Sequence, residues 1–333
     1  MKKRIALIVM ASIAAVFSAC SSDNGLKKIR LNEVAHSIFY APQYVAMEKG
    51  FFAEEGLEID LSLGNGADKT MTAVISGDAD IGLCGTEAGI YVYNEGRENH
   101  SVAFAQLTQR AGNLLVSREA NDDFTWNDVV GKTIIGGRAG GMPQMVLEYI
   151  LRQNAIDPLT DVEILTNIQY ASTAGAFTGG VGDFTVEFDP AAYALEQAGI
   201  GSVVASLGAD SGSIPYTVYW ATQDYIAKNP EIIQSFTNAI QKGMTWVAEH
   251  SAQEVAEAIH GYFKENTVEE VAFMFERYKS FDTWKESCVF TEDGFILLQD
   301  IMEQGGELSK RIEYDALITT RFAENAFDMT GKK

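Results

Sequence analysis

The stretch Tyr44 to Leu61, YVAMEKGFFAEEGLEIDL, contains a helix, a stop and a strand in one short run. Tyr44, Met47 and Phe51 fall at i, i+3 and i+7, the spacing of one helical face, and Gly50 supplies a stop near the end. Leu57-Glu58-Ile59-Asp60-Leu61 then alternates apolar and acidic residues, as a half-exposed strand does. Upstream, Ile29 to Val34 is β-prone. Downstream, Asp68 can open a second helix with Met71, Val74 and Ile75 inside, and Gly77 ends it. Ala79 to Cys84 reads as a third strand, Thr86 with Glu87 opens a helix through Tyr91, and Ser101 to Leu107 reads as a fourth strand. Strands alternating with helices over short connections predict βαβ units and a mostly parallel sheet. In such sheets ligands bind at the carboxyl ends of strands, where helix N-termini also point.

A second series starts at Asn113. Lys132 to Ile135 is a strand, Gly136 to Gly141 a loop, and Pro143 fits the first turn of a helix to Gln153. Val162 to Leu165, Asp183 to Phe188 and Ser202 to Ala205 are strands, with a helix from Asp189-Pro190 to Gln197. From Asp224 the pattern is helical. Ile233, Phe236, Ile240, Met244 and Val247 form one stripe, and Val255, Ile259, Tyr262 and Phe263 the next. This final third has no sheet of its own and is expected to lie on the first lobe. The fold class is α/β, two lobes of similar design with a cleft between them.

The chain has 333 residues, 25 basic and 46 acidic, for a net charge of −21. A surface this negative repels phosphate backbones and argues against a nucleic-acid partner. Three cysteines are too few for a disulfide scaffold, and Cys84 and Cys288 read as unpaired structural thiols. Four histidines (36, 100, 250 and 260) show no metal-binding spacing, and there is no G-x-S-x-G elbow. Gly131-Lys132-Thr133 is no P-loop, because Trp126 stands where the first glycine is needed.

Met1 to Arg4 is a basic n-region, and Ile5 to Ala19 an uncharged apolar run. As a helix that run spans about 22 Å, short of the bilayer core, so residues 1–19 read as a secretory signal and not as an anchor. Phe17-Ser18-Ala19-Cys20 resembles a bacterial lipobox, although Phe17 departs from the usual aliphatic residue. The resemblance implies lipidation of Cys20, with residues 20–26 as a flexible tether. The alternative is an ordinary signal with a chance cysteine.

Four segments, in this order and spacing, resemble a family of solute-binding proteins that serve ABC importers for sulfonates, nitrate, taurine and thiamine pyrimidine precursors. They are Tyr44 to Leu61, Ile75 to Ala88 (ISGDADIGLCGTEA), Val130-Gly131-Lys132-Thr133-Ile134 and Gly182 to Pro190 (GDFTVEFDP). The resemblance covers about residues 27 to 305. It implies a periplasmic-binding-protein fold of the second type, with lobe one at 27–110 and 218–333 and lobe two at 111–217. Crossing segments near Thr108 to Val116 and Ile214 to Ala221 would form the hinge, and the lobes would close on ligand. It further implies a monomer that needs no cofactor, held outside the membrane beside an ABC permease and its ATPase.

On that fold the cleft candidates follow. His36 and Tyr40 can hydrogen-bond a ligand and Phe39 can stack on it; the alternative is an aromatic plug. Asn65 and Gly66 offer backbone N–H groups, with Asp68 a helix cap in the plainer reading. Thr86 can cap its helix and touch ligand at once. Gln106 and Thr108 end the fourth strand. Around Arg138, Gly140 and Met142 the glycine-rich loop can admit an anion, with Arg138 pairing with it bidentately; the alternative is a solvated arginine. Tyr170 can stack, as can Tyr216 and Tyr219, whereas Trp220 reads as core. Asp189 reads as a helix cap. Glu187 looks like the glutamate that, in pyrimidine-precursor binders of the family, bonds the aminopyrimidine edge.

The expected function is capture of a small molecule by hinge closure and its delivery to the importer. A nitrogen heterocycle such as a thiamine pyrimidine precursor is favoured over sulfonate, taurine or nitrate, with flavin-like aromatics also open. An enzyme of the fungal pyrimidine-synthase type shares the fold but needs a cysteine-rich iron site, which this chain lacks. A sensor lipoprotein without a transporter is a third class.

Overall fold

A computed structural model describes residues 25–331, so the signal, Cys20 and most of the tether lie outside the described residues. The first series runs β1 (Lys27–Glu33), α1 (Ala41–Glu48), α2 (Phe51–Glu54), β2 (Leu57–Leu63), α3 (Ala67–Ser76), β3 (Ile81–Gly85), α4 (Thr86–Asn94) and β4 (Ser101–Thr108). The expected single helix through Phe51 is two, because Gly50 takes a left-handed φ of 76° and breaks the run.

The second series runs β5 (Leu114–Ser117), β6 (Thr133–Ile135), α5 (Met142–Gln153), β7 (Glu163–Leu165), α6 (Thr173–Thr178), β8 (Phe184–Glu187), α7 (Ala191–Gln197), β9 (Ser202–Ser206) and α8 (Leu207–Ser211). The chain then returns as β10 (Thr217–Thr222).

Two five-stranded sheets result, ordered β2-β1-β3-β10-β4 and β7-β6-β8-β5-β9. Each has four strands running one way and one running against them, β10 in the first sheet and β5 in the second. The two crossing segments expected as hinge are therefore partly strand, Leu114 to Val116 in β5 and Thr217 to Ala221 in β10. Leu114-Leu115-Val116 lacks the alternation that marks a half-exposed strand because β5 is buried throughout. Only residues 109–113 and 212–216 are left as connections.

The remaining helices are α9 (Gln223–Lys228), α10 (Pro230–Glu249), α11 (Ala252–Ile259), α12 (Val268–Ser280), α13 (Glu292–Gln304), α14 (Tyr314–Leu317) and α15 (Arg321–Asp328). The stripe Ile233, Phe236, Ile240, Met244 and Val247 is buried, and α10 packs on α1, α2 and α15. Capping boxes at Ser251 with Glu254 and Thr267 with Glu270 start α11 and α12.

The helical third does not rest on lobe one alone. On the second sheet's side, α13 packs against α5, and Arg277 of α12 reaches α7, its Nη2 lying 2.5 Å from a Glu196 carboxylate oxygen. Trp220 is fully buried, and Cys84 and Cys288 are both buried and free. Among the described residues no helix is long and apolar enough to cross a membrane.

Candidate ligand-binding cleft

A cavity of about 570 Å³ lies between the sheets. One wall comes from the residues just after β1 and from α3 and α4 along their length. The other comes from residues 137–141 and the start of α5, and aromatic rings of Tyr40, Tyr170, Phe188 and Tyr216 complete the lining. This is the strand-to-helix edge that the βαβ pattern predicts.

The chemistry centres on α4. Gly85 is its N-cap, and a side chain at Gly85 would collide with the Glu87 carboxyl, which folds back over it. Glu87 is buried, and its Oε2 has no hydrogen-bond partner. Burial pushes its carboxyl up to about 7, against the pull of the backbone N–H groups of Glu87, Met142 and Ala88. Met142 belongs to the first turn of α5, so the N-termini of two helices from opposite lobes meet at this one carboxyl.

The lining is acidic. Asp68, Glu87, Glu95 and Glu307 face a single basic residue, Arg138. Arg138 already has a partner, since its Nη1 lies 2.8 Å from Asp68 Oδ1, and both groups are more than a third exposed. The Tyr91 hydroxyl donates to the Gly140 carbonyl at 2.8 Å. These two contacts join the lobes across the cavity.

Of the residues expected to bind ligand, Tyr40, Gly66, Arg138, Gly140, Met142 and Tyr170 line the cavity, and Tyr216 joins them. Six do not. His36 points away: its Nδ1 lies 3.1 Å from Glu33 Oε1, its Nε2 lies 2.9 Å from the Tyr262 carbonyl, and its ring stacks on Phe263. Both ring nitrogens face acceptors, and the bond to Glu33 raises the imidazole pKa. Phe39 is fully buried among Tyr40, Phe188, Tyr216 and Tyr278, so the plug reading describes it. Asn65 supplies a left-handed φ of 56° ahead of Gly66 but no part of the wall.

Thr86 is the first residue of α4 and not its cap, and its hydroxyl donates to the Pro215 carbonyl. Gln106 is buried with its amide on the Thr108 carbonyl at 3.0 Å. Glu187 lies outside the lining, its oxygens accepting from Thr173 Oγ1 at 3.0 Å and Thr185 Oγ1 at 2.7 Å.

Two caps also differ from expectation. Gly66, not Asp68, is the N-cap of α3, which leaves the Asp68 carboxylate for Arg138. Asp189 does accept from the Tyr193 N–H at 3.1 Å, although Pro190 holds the N-cap position of α7. Glu87, Tyr91 and Glu307 were not foreseen as wall residues. Glu87 shares the turn that pointed to Thr86. No local sequence signal brings Glu307, just past the end of α13, to this cavity.

Two similar sheets joined by two crossings, with a cavity between them, define a two-lobed α/β fold. The chain belongs to the NMT1/THI5-like family, whose model matches residues 38–254. It is 43% identical to the Bacillus subtilis (strain 168) protein named "Putative binding protein YtlA", over 96% of this chain and 97% of that one. It is 23% identical to a Schizosaccharomyces pombe 4-amino-5-hydroxymethyl-2-methylpyrimidine phosphate synthase, over 67% of this chain and 66% of that one. In fold it is similar to the alkanesulfonate-binding protein SsuA from Xanthomonas axonopodis pv. citri bound to MOPS. That match has a TM-score of 0.70 at 14% identity and covers 88% of this chain and 98% of that one.

Proposed function

We propose that the protein is an extracytoplasmic lipoprotein, anchored through Cys20, that captures a small nitrogen heterocycle in the interlobe cleft. It then delivers the solute, as a monomer, to an ABC permease and its ATPase. The observation that carries this reading is the buried Glu87 carboxyl, whose Oε2 has no hydrogen-bond partner, in a lining of aromatic rings. Stacking surfaces beside an acceptor suit a flat ring that bears N–H donors, as an aminopyrimidine does. In this reading Glu87 takes the part that the family resemblance gave to Glu187, and Tyr40, Tyr170 and Tyr216 hold the ring. The likeness to a pyrimidine phosphate synthase agrees with the ligand class. A binding role is favoured over an enzyme because the relative matched over nearly the whole of both chains is named a binding protein, whereas the synthase match is weaker and shorter.

A second reading, an alkanesulfonate or similar anion, draws on the glycine loop around Arg138 and on the fold shared with a sulfonate binder. A thermal-shift panel of aminopyrimidines, thiamine, flavins, alkanesulfonates, taurine and nitrate separates the two. A ligand at 100 times its Kd stabilises by about 2.7 kcal/mol, which a melt resolves. A selective shift with aminopyrimidines is expected; a shift with sulfonates alone would replace the first reading by the second.

A further inference from the structure

We infer that Glu87 is the specificity determinant of the cleft: its carboxylate stands where the N-termini of α4 and α5 would otherwise hold an anion, so the cleft refuses anionic solutes and takes one that presents an N–H donor or a positive charge. The inference rests on the reading of this cavity as the solute site. Helix N-termini carry partial positive charge and unsatisfied N–H groups, and two of them converging from opposite lobes form a strong anion position. Here the protein fills that position itself. Gly85 leaves the space, Glu87 folds into it, and Met142 approaches from the other lobe.

What remains open is Oε2, a buried acceptor with no donor. A buried polar atom left so is costly, and a ligand N–H that meets it recovers that cost. The surrounding charges agree. The other titratable groups that act on Glu87 or feel its charge are Cys84, Tyr91 and Tyr216, whose pKa values burial raises, so they stay neutral. Arg138, the single basic residue of the lining, is matched by Asp68, while Glu95 and Glu307 add further negative charge. An entering sulfonate or sulfate meets carboxylates without a free cation, whereas an amine or amino heterocycle meets an empty acceptor.

The test compares the full chain, purified in detergent, with Glu87→Ser and Glu87→Gln. Calorimetric titrations use sodium sulfate and ethanesulfonate as anion probes and 4-amino-5-hydroxymethyl-2-methylpyrimidine as a neutral donor probe. The wild type should take up neither anion at millimolar concentration. Glu87→Ser, which vacates the position, should bind ethanesulfonate at least about tenfold more tightly than the wild type does. Glu87→Gln should bind the pyrimidine about tenfold or more weakly.

Anion binding by the wild type that equals or exceeds that of Glu87→Ser overturns the inference. So does a Glu87→Ser protein with an unchanged circular dichroism spectrum that gains no anion. Should Glu87→Ser not fold, the anion arm is read on Glu87→Gln, which drops the charge at nearly constant shape, and refusal undiminished there is equally fatal. If no protein binds the pyrimidine, the heterocycle reading falls, while the anion arm still decides the role of Glu87.

Discussion

Glu87 is buried with its carboxyl raised from 4.5 to about 7, so it changes charge within the physiological range. In the unfolded chain it loses its proton near 4.5, while in the folded protein it keeps it to about 7. The unfolded state therefore binds fewer protons between these values, and stability falls as pH rises through that window, then levels off. The loss from this one group is about 3 kcal/mol at most. Glu187, raised to about 7, and Asp189, raised to about 6, act in the same direction. Melts from pH 4 to pH 8 should show declining Tm, and Glu87→Gln should flatten the decline and raise Tm at pH 8. Affinity for a donor ligand should run the other way, because the carboxylate is the better acceptor. Titrations at pH 5.5 and 7.5 should show tighter binding at the higher value. Glu187→Gln should leave affinity unchanged, since Thr173 and Thr185 already satisfy Glu187 outside the cavity lining. Sequence pattern led to the Gly85-Thr86-Glu87 turn but not to the residue. Adjacent positions at a helix start point in different directions, and which of them faces the cleft depends on where the other lobe stands.

At the scale of elements, the pattern was most legible where period and burial coincide. The α10 stripe is one such case, each of its residues buried as its spacing requires. Its contact with α1 is close enough that a Cβ on Gly243 would strike the Pro42 carbonyl. Gly243→Ala should therefore destabilise by about 1 to 3 kcal/mol through overpacking, despite the better helix propensity of alanine, and a thermal melt would show it. Thr267→Ala, which removes the N-cap of α12, should cost about 1 kcal/mol with no change in ligand affinity. Less legible were β5 and β10. A short apolar run buried on both faces carries no period, and its identity as a strand comes from the partners on either side. Gly112, between β4 and β5, shows the same dependence. A Cβ there would sit 2.5 Å from the Phe39 ring and 2.7 Å from that of Phe188. The reason for that glycine lies in an aromatic plug drawn from two distant segments.

The molecule as a whole is held across its mouth by Asp68 with Arg138 and by Tyr91 with Gly140. Because both charged groups are substantially exposed, the ion pair is worth only about 0 to 1 kcal/mol. Breaking it with Arg138→Ala should shift the balance between open and joined lobes by no more than about fivefold. The effect should be equal for neutral and anionic ligands, and Asp68→Asn should reproduce it; a loss confined to anions would return Arg138 to the role of anion partner.

The path of the chain through the sheets has a further consequence. All five strands of the second sheet are consecutive, from β5 to β9, whereas the first sheet is assembled from both sides of them. The ends of this insert are neighbours, for the Ile214 N–H donates to the Gln109 carbonyl at 2.9 Å. Residues 111–213 thus form a cassette whose two ends leave and rejoin the rest of the chain side by side. Exchanging it for the equivalent piece of a relative would replace one wall of the cavity, including the Met142 N–H that meets Glu87, while keeping the residues of the opposite wall in place. Chimeras built at these two junctions would inherit affinity from each parent separately, a route by which recombination could assemble new specificities without redesigning either half.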